Sequence, residues 1–149
     1  MPTQIERQYN TPDYEGKRSL LFTGLEDATL ETHKIAELDN FLVAATIPDI
    51  QAKFADGSLN SETLVKYYIQ RIKTYDVDGY NAVLELNPDA LIIARERDAN
   101  RSGKDGAFYG IPVLLKDNIG TGDKMHTTVG AKALENSHSD RDAFIVQKM

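Results

Sequence analysis

The sequence contains no cysteine and no apolar run of the length needed to cross a lipid bilayer, which takes about 20 residues. Without cysteine the chain can form no disulfide bond, Cys-type zinc site, iron–sulfur cluster or thiol nucleophile. Its first ten residues, MPTQIERQYN, are too polar for a secretory signal peptide. These absences lead us to expect a soluble, cytoplasmic protein.

Acidic residues outnumber basic ones, 23 to 17, so the net charge is −6. A chain with this balance is repelled by nucleic acids and by anionic lipid surfaces. We therefore expect neither nucleic acid nor a membrane among its partners. With 149 residues, 41% hydrophobic and 27% charged, the composition fits one globular domain or part of a larger one.

The first 45 residues predict an N-terminal arm. Residues 1–25 show neither helical nor strand periodicity. Beyond them, Leu38 and Leu42 fall near one face with other apolar residues, which indicates a possible helix. We assign residues 1–45 to the arm and residues 46–149 to the domain that follows.

Residues that cap helices mark the start of three further helices. They are Thr46 before a helix to Ala55, Asn60 or Ser61 before a second, and Asn87-Pro88-Asp89 before a third that runs to about Arg101. A short helix that begins at Asp140 is expected at the end of the chain.

Three apolar segments bounded by turn-forming residues predict short β-strands. They are residues 81–86, residues 110–115 and a segment near 125–129. Strands that alternate with helices are typical of an α/β protein.

Most chemical motifs fail on spacing or composition. Residues 74–85 come near the spacing of a calcium loop, but threonine replaces the first acidic ligand. His33, His126 and His138 have no zinc-type partner four residues on, and Gly120-Thr121-Gly122 lacks the third glycine of a dinucleotide fingerprint. No G-x-S-x-G nucleophile motif occurs. We therefore expect no metal and no cofactor.

Lys116 is the candidate catalytic residue. It ends the predicted strand 110–115, so apolar neighbours on both faces should partly desolvate it. Burial favours the neutral amine, which can accept a proton. Alternatively, the side chain extends into solvent from the end of the strand or pairs with an acid. The residue pattern by itself favours this second interpretation.

The segment GIPVLLKDNIGTGDKMHTTVGA, residues 110–131, closely resembles the lysine segment of the amidase signature family of amide hydrolases. Residues 45–76 and 81–98 resemble the helices and strand that precede this segment in the family, and residues 142–149 resemble its next helix. The resemblance covers about 46–149.

This resemblance implies an α/β fold with a mixed sheet covered by helices. It also implies cleavage of a small-molecule amide by a serine nucleophile, a bridging serine with a cis peptide bond, and a lysine that matches Lys116. In such a triad the neutral lysine accepts a proton from the bridging serine.

The family's two serines lie in a glycine- and serine-rich segment, and none of the six serines here does: Ser19, Ser58, Ser61, Ser102, Ser137 and Ser139. We therefore expect the chain to be a truncated fragment that is inactive alone and self-associates through unpaired sheet edges. The alternatives are a non-catalytic module for binding or regulation, and part of a tRNA-dependent amidotransferase subunit.

Overall fold

A computed structural model describes residues 19–103 and 106–149, so residues 1–18 of the predicted arm at 1–45 lie outside the described residues. We number the α-helices in chain order: α1 is Thr32–Leu42, α2 Ile47–Ala55, α3 Ser61–Arg71, α4 Ala90–Ala99 and α5 Phe144–Gln147. A π-helix, Ile72–Tyr80, continues α3, and a 3₁₀ turn spans Lys132–Leu134. None of the helices in the described ranges is long and apolar enough to cross a membrane.

The helix starts predicted from capping residues are confirmed for α2 and α3. The Thr46 hydroxyl accepts a hydrogen bond from the Asp49 N–H, and the Asp49 carboxylate accepts one from the Thr46 N–H at 2.8 Å. The Asn60 side chain accepts from the Thr63 N–H at 2.8 Å. Each bond satisfies an N–H group that the first helical turn leaves without a partner.

The predicted helices around α1 and α4 are also present, but the last helix begins later than expected. It starts at Phe144, and Asp140 does not cap it. The Asp142 carboxylate instead accepts from the Gly122 N–H, and the Ala143 N–H donates to the Gly120 carbonyl. Because these bonds hold the preceding backbone against residues 120–122, the helix can begin only after them.

The expected mixed sheet is wrong, since no β-strand occurs in residues 19–103 or 106–149. The segments 81–86, 110–115 and 125–129 all lack regular pairing. Self-association through sheet edges therefore has no strand in the described chain on which to rest.

In two of these three segments, side-chain carboxylates occupy backbone donors that a ladder would need. A strand needs backbone N–H groups free to donate to a neighbouring strand. Here Asp76 accepts from Ala82 and Val83 at 2.7 and 3.0 Å. The N–H groups of Met125, His126 and Thr128 likewise donate to carboxylates. These N–H groups are therefore not available to pair with a neighbouring strand.

Helix α3 lies between two hydrophobic cores. The first contains Leu25, Ala28, Val65, Ile69, Leu91 and Ala94. The second contains Leu38, Ile50, Phe54, Leu59, Leu64 and Tyr67. Because α3 contributes side chains to both, it joins the segment before α1 and helix α4 on one side to α1 and α2 on the other.

The N-terminus of α3 is bound by α4. The Asp98 carboxylate accepts from the N–H groups of Ser61 and Glu62 at 2.8 and 3.0 Å. Three residues on, the Arg101 guanidinium donates to the Ser61 hydroxyl at 2.8 Å and lies 4.2 Å from the centre of the Phe54 ring. These contacts fix the point at which the chain leaves α4.

The segment before Lys116, residues 107–111, docks on α2 and on the N-terminus of α3. The Gln51 side-chain amide donates to the carbonyls of Ala107 and Tyr109 at 2.9 and 3.1 Å. Gly110 has φ +81°, and Ile111 packs against the second core. A Cβ at Gly110 would lie 2.2 Å from the Ser61 hydroxyl oxygen.

Gly110→Ala should therefore destabilise the protein more than an alanine at a glycine of similar φ in open space. A left-handed alanine costs about 1–2 kcal/mol, and crowding adds about 1–3 kcal/mol. Gly57, at φ +77° with nothing within 4 Å of its Cβ position, is the matched control. Urea unfolding should show the larger loss for Gly110→Ala, and equal losses would contradict the docking described here.

Helices α1 and α3 are joined by a polar cluster. The Tyr67 hydroxyl donates to the Asp39 carboxylate at 2.6 Å, and the Arg71 guanidinium donates to the same oxygen at 2.7 Å. Tyr67 is 4% exposed. Burial, and then its hydrogen bond to Asp39, raise the pKa of Tyr67 from 10.0 to about 12.

This raised pKa makes stability depend on pH in the alkaline range. Below pH 10 the phenol is neutral in both the folded and the unfolded chain. Between pH 10 and about 12 only the unfolded phenol ionises, so the folded state loses stability by about 2–3 kcal/mol. Urea unfolding should show this extra loss in the wild type and not in Tyr67→Phe; parallel pH profiles would contradict it.

Candidate active site around Lys116

Lys116 is an exposed residue that follows the docked residues 107–111. Its carbonyl accepts from the Ile119 N–H at 2.8 Å, which closes a turn. Within the described ranges, no ion pair or side-chain hydrogen bond engages its ammonium. Leu114 beside it is 77% exposed. The expected desolvation of Lys116 is therefore wrong for this chain, because no sheet covers the neighbouring side chains.

The segment after Lys116 is fixed through Asp117. The Asp117 carboxylate accepts from the N–H and hydroxyl of Thr128 at 3.1 and 2.5 Å, and from the Gly130 N–H at 3.1 Å. Thr128 is 5% exposed. The polypeptide that carries Lys116 is thus tied to a turn eleven residues further along the chain.

A second carboxylate holds the backbone just before that turn. Glu85 accepts from the His126 N–H at 2.9 Å and contacts the His126 ring nitrogen Nδ1 at 2.7 Å. The His138 ring lies 4.2 Å from the His126 ring, and its Nδ1 lies 3.1 Å from the Met125 carbonyl. Glu85 and His126 are partly buried and anchor the segment. Together with His138 they do not form a set that could hold a metal ion, and no such set occurs among the described residues.

The serines do not assemble with Lys116 in the part of the chain described. Ser61 is 1% exposed and accepts from Arg101, and the Ser139 hydroxyl donates to the Arg141 carbonyl. Neither hydroxyl is hydrogen-bonded to the lysine. What the structure assembles around Lys116 is a lysine that follows the docked residues 107–111 and precedes hydrogen-bonded backbone at 117–119.

The sequence singled out Lys116 as a candidate, but it did not indicate the anchoring roles of Asp117 and Glu85. No motif predicted the role of Asp117, because its partner Thr128 lies eleven residues away. No local signal existed for Glu85, because its partner His126 is 41 residues away.

Comparison with known proteins places this segment in a family. The family model named Amidase matches residues 63–149, which include Lys116. A probable amidase of Arabidopsis thaliana is 44% identical over 109 residues, which is 70% of this chain and 21% of that protein. A glutamyl-tRNA(Gln) amidotransferase subunit of Paenarthrobacter aurescens is 36% identical over 77% of this chain and 23% of its own.

A solved structure agrees with these relatives. The native peptide amidase from Stenotrophomonas maltophilia is 44% identical and superposes with a TM-score of 0.65, covering 70% of this chain and 22% of that one. The chain spans about a fifth of the length of the relatives it matches. Since the family model covers more than half of its residues, the chain belongs to the amidase family.

Proposed function

We propose that Lys116 is the proton-accepting residue of an amide-hydrolase site in the protein to which this segment contributes, acting on a small-molecule amide. The observation that carries the proposal is the family match over 63–149, which spans the lysine segment. Support also comes from the exposed side chain of Lys116, which is available to a substrate or to a further protein group.

The chemistry requires a change in the surroundings of Lys116. An ammonium has no lone pair, so it must lose its proton before it can act as a base. Removal of water by a bound substrate or by additional protein surface favours the neutral amine. The amine then accepts the proton of a serine hydroxyl as the serine oxygen attacks the amide carbonyl, and it returns this proton to the leaving amine as the C–N bond breaks and the acyl-serine forms.

An amidotransferase subunit is the second candidate function. It is favoured by the 36% identity to the amidotransferase subunit of Paenarthrobacter aurescens. Both candidates use the same amide chemistry, so Lys116 has the same role in each. The net charge of −6 gives no support to direct binding of tRNA. Amide hydrolysis is therefore the function that we favour.

We predict that the 149-residue chain alone does not hydrolyse amides. A base without a nucleophile cannot form the acyl intermediate, and none of the six serines lies in a glycine- and serine-rich segment. The assay is ammonia release from a panel of simple amides. Turnover above background that Lys116→Ala abolishes and Lys132→Ala leaves intact would contradict the prediction.

The role of Lys116 is tested in a chimera of the Stenotrophomonas maltophilia peptide amidase. In it, the residues of this chain that match the peptide amidase replace their counterparts. Lys116→Ala should lower kcat by about 10²–10⁴-fold, the usual effect of losing a general base. Lys116→Arg should lower it nearly as far, because a guanidinium stays protonated. The melting temperature should change little, since the side chain is exposed.

Lys132 provides the matched control, because it is a lysine with an 88% exposed side chain in the same family region. Lys132→Ala should retain the kcat of the parent chimera. If Lys116→Arg retains most of that activity, a fixed positive charge suffices and Lys116 is not the base.

A further inference from the structure

The carboxylate of Asp117 binds one turn three times. It accepts the N–H and hydroxyl hydrogens of Thr128 and the N–H hydrogen of Gly130. Thr128 is almost fully buried, so its polar groups need partners inside the protein. Hydrogen bonds to an ionised acceptor are stronger than those between neutral groups. Asp117 is therefore a major anchor of this turn.

Val129, between those two donors, has an unfavourable backbone conformation. Its φ is +52°, a region in which a β-branched residue is a genuine outlier. Its side chain is 59% exposed, so burial of the side chain does not compensate for the strain. The residues on either side of Val129 are instead held by hydrogen bonds to Asp117. The turn adds two of its own, from Gly130 N–H to the Thr128 hydroxyl and from Ala131 N–H to the Thr128 carbonyl.

Asp117 directly follows Lys116, so hydrogen bonds that fix Asp117 also restrain the backbone of Lys116. The Lys116 carbonyl, in the peptide bond that Lys116 shares with Asp117, also accepts from the Ile119 N–H, so this junction is held twice. Since no described group binds the Lys116 ammonium, the position of its amine depends on where the backbone is held.

We infer that Asp117 is a positioning residue: it uses the strained turn at 128–130 as an anchor for the backbone of Lys116. The inference rests on the proposed function, because it gives Asp117 its role through Lys116. Strained backbone persists where the surrounding structure holds it, and such positions cluster at functional sites. Displacing a reacting group by about 1 Å can cost 10²-fold in rate.

The test uses the chimera with the peptide amidase. Asp117→Asn keeps the shape of the side chain but removes its charge and one acceptor oxygen. We expect kcat to fall by about 10- to 100-fold with KM unchanged, since substrate binding is not affected. Asp123→Asn is the matched control, because the Asp123 carboxylate accepts from Thr121, Met125 and the Asn87 side chain, and none of its hydrogen bonds in the described chain involves residues 128–130. It should keep kcat within about threefold.

Relief of strain gives a readout that a purely structural role would not change. Val129→Gly removes the cost of positive φ, so the turn needs less support from the carboxylate. Added to Asp117→Asn, it should raise kcat by at least about fivefold, while Val129→Gly alone leaves kcat near that of the parent. No recovery in the double variant would overturn the inference.

Two further outcomes separate this inference from the proposed function. If Lys116→Ala leaves kcat unchanged, the proposed function fails and the inference fails with it. If Lys116→Ala abolishes activity while folded Asp117→Asn keeps kcat within about threefold, only the inference fails.

Should Asp117→Asn not fold, Thr128→Val replaces it, since this variant removes one hydroxyl and keeps both N–H donors. A fall in kcat of about three- to tenfold at constant KM is expected, and a kcat equal to that of the parent chimera would overturn the inference.

Discussion

The arrangement depends on one contact between helices, in which the Asp98 carboxylate satisfies the first N–H groups of α3. A helix N-terminus leaves donors that must find acceptors, and here a residue of α4 supplies them. This bond sets the spacing of α3 and α4, on which the first hydrophobic core depends. It also brings Arg101 to the Ser61 hydroxyl and the Phe54 ring. The chain that leads to Gly110 therefore starts from a fixed point.

Beyond α3, single carboxylates hold the backbone in place of a sheet. Asp76, Glu85, Asp117 and Asp123 each accept one or more backbone N–H groups. A carboxylate can do this because its two oxygens accept several hydrogen bonds at once. Lys116 is exposed, yet the backbone that follows it is held by Asp117 and by the turn to Ile119.

The sequence predicted features that depend on contacts between residues close together along the chain, and it missed those that depend on contacts between distant residues. The Thr46 and Asn60 caps are contacts between residues three apart, so a motif reveals them. The prediction of a strand at 81–86 was wrong, and its apolar pattern does not show that the Asp76 carboxylate binds two of the N–H groups in this segment. Lys116 was found by family resemblance. Its exposure was missed because exposure is decided by what covers a segment, which hydrophobic spacing alone cannot indicate.

The central claim, that the amine of Lys116 accepts a proton during amide hydrolysis, can be tested by chemical restoration of that amine. This chain has no cysteine, so Lys116→Cys introduces a single thiol into a chimera in which every cysteine of the peptide amidase part has been replaced by serine. Alkylation with 2-bromoethylamine then rebuilds a lysine analogue at this position. We predict that the variant is inactive, that aminoethylation raises kcat by at least about tenfold, and that iodoacetamide restores nothing. Full modification without recovered activity, or an unmodified variant with the kcat of the parent chimera, would contradict the account.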